Sequence, residues 1–447
     1  VSLLPFFLMS SKDKVTGDAK TNLNLAKKLC DRSCNSSIIE IPDANAFKKQ
    51  KALILNHDLF IDAILGTGLN SVVKGFFKDA IELINSSQSP VFAVDIPSGL
   101  HSDTGQPLGV AVKADATSTF AFAKAGHILY PGNNYTGDLE IIDIGIPKFI
   151  AQEKEIKLFL IEKKDIAACF SPRQFQSHKG DYGHLQVIGG STGKTGAVSL
   201  CANAAMRCGT GLVTLGIAKS LNQSVEPQVI EPMTHPLPDT EKGFLSDNCF
   251  EQILSLLKDK QALALGPGIG TDEGTKKLVQ SLIEKCEVPM VIDADAINCI
   301  AKNTEVLKQK KSPAILTPHP GEMARLCNMT TTQIQADRIG IASKFAKSHD
   351  VILILKGAQT IISLPDGKSY ICPTGNPGMA SGGMGDVLTG MIAGFCAQGF
   401  SPENASLAGV FLHGMCADIL SKNMGGFGFI ATDMIQMIPN TINQCLL

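Results

Sequence analysis

A chain of 447 residues is about three times the length of a common domain, which predicts two or three domains. Its 40 lysines and arginines nearly balance 42 aspartates and glutamates, for a net charge of −2, and this excludes nucleic-acid binding through a global basic field. Apolar residues make up 44% and charged residues 18%, a globular composition, and no run of uncharged apolar residues is long enough to predict a membrane helix.

The chain opens VSLLPFFLM, with no starting Met and its first lysine, Lys12, after the apolar run. A signal peptide needs a basic leader and a small-residue cleavage site, so this opening reads as a β-strand inside a domain. Further strand-length apolar segments follow: LFIDAIL (59–65), VFAVDI (91–96), ATSTFAFA (116–123) and LEIIDIG (139–145). The second half continues with HLQVIGG (184–190), ALALGPG (262–268), PMVIDADA (289–296), AILTPHP (314–320) and VILILKG (351–357). Short Val/Ile/Leu runs that end in Gly, Asp or Pro predict buried parallel strands. Helical patterns lie between them, as in 330–350, which begins with threonine caps and spaces its apolar residues by three and four. Alternating strands and helices predict doubly wound α/β sheets. A Lys-, Glu- and Gln-rich stretch at 147–178 lacks glycine clusters and marks the junction, so two domains are expected, 1–155 and 165–447. The 13 cysteines are scattered; only Cys30 and Cys34 lie close together, and no second ligand pair follows them. Reduced, buried thiols of a cytoplasmic protein are the plain expectation.

The glycine cluster GGSTGKTGAV (189–198) invites a phosphate-loop reading, but the residue five before Gly193 is Ile188, so the loop is one residue short. In NPGMASGGMGDVLTGMIAG (376–394), Gly382, Gly383 and Gly385 precede Asp386 and a helical pattern. Their amides would form an anion hole at the positive end of a helix, with Asp386 placed to take a proton from an attacking hydroxyl. The alternative is a plain glycine turn with a capping aspartate. The neighbours favour the hole: KGAQT (356–360), GPGIG (266–270) and TPHPGEMARL (317–326) each end a predicted strand, where ligands of open α/β sheets bind. His319 lies there between two prolines. In the first half, Asp62 and Asp95 end neighbouring strands, each followed by a glycine turn, and the choice is between a polar pocket for phosphate or a cation and two helix caps.

In order, HKGDYGHLQVIGGSTGKTGAVSL, ALGPGIG, VIDADAIN, LTPHPGEMARL, LKGAQTII and GNPGMASGGMGDVLTGMIAG resemble the ADP-dependent NAD(P)H-hydrate dehydratases, from about 165 to 440. The resemblance implies a ribokinase-like fold and repair of hydrated NADH and NADPH: the nucleotide phosphorylates the hydrate's hydroxyl, phosphate leaves, and NAD(P)H is restored with AMP and phosphate as by-products. It implies that Ala197, Gly268 and His319 contact the hydrate and that Lys356, Gly357, Ala358, Gln359, Thr360 and Gly385 hold the adenosine nucleotide. Asp386 would be the base, Asn376 and Pro377 would shape the loop before the hole, and magnesium would neutralise the phosphates. A cytoplasmic homo-oligomer is expected.

The first half, through DAILGTGL, VDIPSGLHSDTG, ADATSTFAFAKAG and YPGNNYTGDLEIIDIGIP, resembles the Rossmann-like NAD(P)H-hydrate epimerases, which interconvert R and S hydrates. The resemblance implies potassium at Asp62 and Ser98, a substrate loop at Gly66, Thr67 and Gly68, and a substrate-binding and catalytic role for Asp95. The family's G-N-N-G-G-D-G loop has no counterpart here; VSLLPFFLM resembles the segment just after it, so weak epimerisation is expected of this chain. The competing reading is a ribokinase-like small-molecule kinase with a non-catalytic nucleotide-binding first domain.

Overall fold

The computed structural model describes residues 4–32, 35–147, 149–150 and 156–447. Contacts divide the chain into two compact units, Val1–Glu153 and Lys154–Leu447. Cys34 lies outside the described residues; the described cysteines are free, and most are buried.

In the first unit, β3 (Phe60–Asp62), β4 (Val91–Val94), β5 (Ala116–Phe120) and β6 (Asp138–Ile142) form a four-stranded parallel sheet in that order. The opening segment does form a strand, β1 (Leu4–Leu8), which pairs in parallel with β2 (Ser36–Glu40) in a separate two-stranded sheet. The helix Gly75–Ser86 turns Ala80, Ile81 and Ile84 inward, and Val91 of β4 packs in the same cluster as Ile81 and Ile84. That apolar spacing of three and four residues is what makes the segment a helix seated on a sheet.

The second unit holds a ten-stranded sheet. Its order is β10 (Met233–Leu237), β9 (Leu212–Ala218), β8 (His184–Ile188), β11 (Ala262–Leu265), β12 (Met290–Ile292), β13 (Ala314–Leu316), β14 (Ile352–Leu355), β15 (Ile361–Ser363), β16 (Ser369–Ile371) and β7 (Leu158–Leu160). All neighbours are parallel except β14–β15 and β15–β16. The order reverses between β8 and β11, which is the point where a doubly wound sheet opens a crevice beyond its strand ends. The strands β11, β12, β13 and β14 are buried throughout, as their unbroken apolar runs require.

The helix Met384–Ala397 is buried on nearly every side from Val387 onward. It packs against Thr195–Arg207 and Pro402–Met424. The close approach depends on glycine: a Cβ on Gly390 would fall 2.1 Å from the Cys201 carbonyl oxygen, and one on Gly394 would fall 3.1 Å from the Ala205 Cα. The segment 330–350 differs from the single helix its spacing suggests. It forms two helices, Thr331–Ala336 and Arg338–His349, because the Asp337 side chain leaves the helical path and accepts the Gly340 amide at 2.9 Å, starting a new helix.

Candidate active sites

At the sheet's switch point the two glycine turns meet. The Gly190 amide donates to the Pro267 carbonyl at 2.8 Å, and the Ser191 hydroxyl donates to the Gly268 carbonyl at 2.7 Å. Gly268 has φ +63°, and a Cβ there would lie 3.2 Å from the Ala197 Cβ and 2.6 Å from the Lys194 carbonyl oxygen. The sequence-predicted pair Ala197 and Gly268 is thus one wall. Lys194, the residue the phosphate-loop pattern singles out, instead bonds Asp295 at 2.8 Å, and the same Asp295 oxygen accepts the Gly270 amide at 3.0 Å.

The second wall is built from the ends of β12, β13 and β14. Asp293, just past β12 and 1% exposed, receives three donors: Thr317 Oγ1 at 2.7 Å and Lys356 Nζ at 2.9 Å on Oδ1, and Thr389 Oγ1 at 2.8 Å on Oδ2. Glu322 stands 4.0 Å from Lys356 Nζ and accepts the His319 amide at 2.8 Å. His319 caps the helix Pro320–Cys327, its Nδ1 accepting the Gly321 amide at 3.0 Å, so Nε2 is the proton-bearing nitrogen of the neutral ring. Burial, with Lys356 and Arg325 nearby, holds the ring below the ordinary histidine value and so neutral near pH 7. Gly357 to Thr360 form an open turn after β14. The half-buried Arg338 fastens it, donating to the carbonyls of Ala358 at 2.6 Å and Leu355 at 3.1 Å.

The third wall is the glycine turn. Gly383, at φ +86°, precedes Met384–Ala397, and no side chain caps the helix, so its first amides are free for an anion. Gly382 is exposed with open space about its Cα, and Gly385 lies so close to Lys356 that a Cβ would sit 3.3 Å from Nζ. The plain capping alternative fails because Asp386 sits inside the first turn rather than at the cap. Among the described residues it has no hydrogen-bond or ion-pair partner. Burial, then the negative charge of Asp293, pushes its carboxyl from an ordinary 3.8 up to about 7, against the pull of Lys356. Asp418 braces the preceding loop, accepting the Gly375 amide at 3.0 Å and the Asn376 side-chain amide at 2.9 Å.

In the first unit, Asp62 and Ser98 do meet. Asp62 is 1% exposed; it accepts Ser98 Oγ at 2.6 Å and the Ser98 amide at 2.7 Å, and no cation pairs with it among the described residues. Burial pushes its carboxyl up. The Leu65 amide donates to Ser98 Oγ at 2.8 Å, which ties the turn of Gly66, Thr67 and Gly68 to the same point. Asp95 is bonded instead to Lys124, Thr119 and the Phe120 amide. Burial would raise it, but Lys124 at 2.6 Å, the Phe120 amide and Thr119 outweigh that and leave it below the usual range. Asp293, Glu322, Arg338 and Lys124 are the residues sequence reasoning missed. Asp293 and Lys124 lie within the quoted VIDADAIN and ADATSTFAFAKAG segments, and their charged partners, Lys356 and Asp95, are remote in sequence.

A largely parallel sheet with its crevice at the switch point, and a helix that starts at a glycine turn, give the second unit a ribokinase-like fold. A ribokinase-like superfamily protein from Enterococcus faecalis shares the fold, with a TM-score of 0.56 at 23% identity, covering 65% of this chain and 96% of that one. The ADP/ATP-dependent NAD(P)H-hydrate dehydratase of Bacillus subtilis, co-crystallized with ATP/Mg2+, matches with a TM-score of 0.58 at 29% identity over 65% of this chain and 99% of that one. Family models match residues 185–440 as NAD(P)H-hydrate dehydratase and 1–126 as YjeF-related protein N-terminus. The bifunctional NAD(P)H-hydrate repair enzyme Nnr of Moorella thermoacetica is 40% identical over 98% of this chain and 82% of its own length; that of Escherichia coli is 36% identical over 86% and 72%. The chain belongs to the bifunctional NAD(P)H-hydrate repair enzymes. These matches uphold the dehydratase and epimerase reading and not the small-molecule kinase alternative. No described helix is long and apolar enough to cross a membrane.

Proposed function

We propose that the second unit performs an ADP-dependent dehydration of S-NAD(P)H hydrate with Asp386 as base, a reading carried by its unpaired carboxyl beside the uncapped helix start. The nicotinamide ring of the hydrate lies between the Gly268 turn, with Ala197 at the start of the helix Thr195–Arg207 beside it, and the ring of His319. The diphosphate of ADP extends from the turn of Lys356, Gly357, Ala358, Gln359 and Thr360 to the amides after Gly382, Gly383 and Gly385. Asp386 takes the proton of the hydrate's hydroxyl as that oxygen attacks the terminal phosphorus, and the bond from phosphorus to AMP breaks. Hydroxide is a poor leaving group and phosphate a good one. Loss of phosphate and of a proton from the adjacent carbon then restores the ring double bond of NAD(P)H.

Among the described residues no group of three His, Cys, Asp or Glu side chains forms a metal cage. A magnesium ion carried on the nucleotide's phosphates would offset their charge, with most of its waters kept. For the first unit we propose epimerisation of the hydrates, with Asp95 and the turn of Gly66, Thr67 and Gly68 meeting substrate. Asp62 and Ser98 would hold potassium, since a buried carboxylate with no counter-charge is costly unless a cation joins it. A cytoplasmic homo-oligomer completes the proposal; free buried thiols and the fully exposed Phe175 and Phe427 are consistent with it.

The test supplies S-hydrate with ADP, with ATP or with neither, and follows NADH absorbance. Recovery is expected with ADP ahead of ATP and none without nucleotide. Accumulation of a stable phosphorylated alcohol in place of NADH would overturn the assignment.

A further inference from the structure

We propose that Asp293 is a positioning residue of the dehydratase site, holding the Lys356 ammonium against the start of the helix Met384–Ala397 and pinning that helix through Thr389. The inference rests on the reading of Asp386 given above.

Asp293 joins three elements that the chain delivers separately. Its Oδ1 takes Thr317 at the end of β13 and Lys356 at the end of β14; its Oδ2 takes Thr389, one helical turn past Asp386. Its own amide donates to the Leu265 carbonyl of β11 at 3.1 Å. All these distances are those of good hydrogen bonds, and the carboxylate is shut from water, where such bonds gain strength. Two consequences follow for the chemistry. The helix start cannot drift from the strand ends, so the anion hole and the phosphate-facing lysine keep one spacing. Lys356 is also already claimed at 2.9 Å, which keeps it from closing on Asp386 and neutralising it. The charges facing Asp386 are Asp293 from β12, Asp295 from the helix that follows, Glu322 from the helix after β13 and Lys356 from β14, with the Cys201 thiol on Thr195–Arg207. Of these, Asp293 contributes the largest single charge effect.

The experiment measures kcat and KM for ADP from pH 5 to 9 in the full chain carrying Asp293→Asn, Thr389→Val, Thr389→Ser or Asp386→Asn. Asp293→Asn keeps the shape but loses the charge and frees Lys356. Its acidic limb is expected to move down by about one pH unit, with kcat at pH 8 falling about tenfold or more. Thr389→Val is expected to lower kcat about tenfold while KM for ADP stays within about threefold, and Thr389→Ser to restore it. The valine variant decides the matter if Asp293→Asn does not fold. Loss of activity in Asp386→Asn beside an unmoved limb and near-normal kcat in Asp293→Asn, or near-normal kcat in Thr389→Val, would overturn the role of Asp293 alone. Retained turnover in Asp386→Asn would overturn the underlying site reading instead.

Discussion

Replacing Asp386 by asparagine should cost activity and add stability at once. The carboxyl stands at about 7 instead of 3.8, so the folded state holds its proton more tightly than the unfolded chain does. For a raised carboxyl the associated stability is fully present below the unfolded value and is lost as pH climbs through the folded one. Three units at about 1.4 kcal/mol each give about 4 kcal/mol as an upper bound, and the half-buried position reduces this to about 2 kcal/mol. Asparagine has no proton to lose, so the variant avoids that penalty. For a unit of this size 2 kcal/mol corresponds to a melting temperature about 4 °C higher at pH 8, with most of the gain gone at pH 5. Turnover should fall by about 10²–10⁴ because the base is gone. The assay pairs NADH recovery from S-hydrate with thermal melts at both pH values. Turnover within about threefold of wild type would refute the base, and an unchanged or lower melting temperature at pH 8 would refute the electrostatic account.

The unmodified enzyme's kcat/KM should rise about tenfold per pH unit below pH 7 and level off above it, since Asp386 must be ionised to act; a flat profile from pH 5 to 9 would contradict this. Gly385→Ala places a methyl 3.3 Å from Lys356 Nζ, which Asp293 tethers, so KM for ADP should rise about tenfold with little change in melting temperature. An unaltered KM would show that Lys356 does not face the nucleotide. Potassium should raise the melting temperature by a few degrees relative to the same concentration of lithium, as binding at about 100 times Kd contributes about 2.7 kcal/mol. Asp62→Asn should abolish that difference, and a salt response identical in both proteins would remove potassium from this site.

The parts of the fold legible in the sequence were those written in short-range pattern. Runs such as ALAL and ILIL are buried on both faces and so carry no polar alternation, and their glycine or aspartate endings marked where strands stop. The antiparallel strands β15 and β16 went unread, and the break at Asp337 was a competition between one aspartate side chain and a continuing helix. In the candidate site, His319 and Asp386 stood out beside proline- and glycine-marked turns, while Ala197, Gly268 and Lys356 were named through the family resemblance of the segments that hold them. Asp293 could not be given a role, because its partners Thr317, Lys356 and Thr389 are remote in sequence and meet only through the order of β12, β13 and β14.

The two units set a carboxylate against a lysine in opposite ways. In the first, Lys124 closes on Asp95 at 2.6 Å, and with the Phe120 amide and Thr119 it outweighs burial, so the carboxylate stays ionised and takes up protons poorly near pH 7. In the second, Lys356 is nearby, but Asp293 holds it at 2.9 Å, and a third carboxylate, Glu322, stands 4.0 Å from the same ammonium. Burial first, then the surplus of negative charge around it, raises Asp386 to about 7. A base is most effective when its value lies near the working pH, because it is then ionised yet still strong enough to hold the proton it takes. Deeper burial at Asp386, together with a lysine already paired elsewhere, therefore separates an aspartate suited to a fixed negative charge from one suited to moving a proton. Under the proposed function, that separation accounts for three carboxylates around one ammonium despite what the crowding costs in stability.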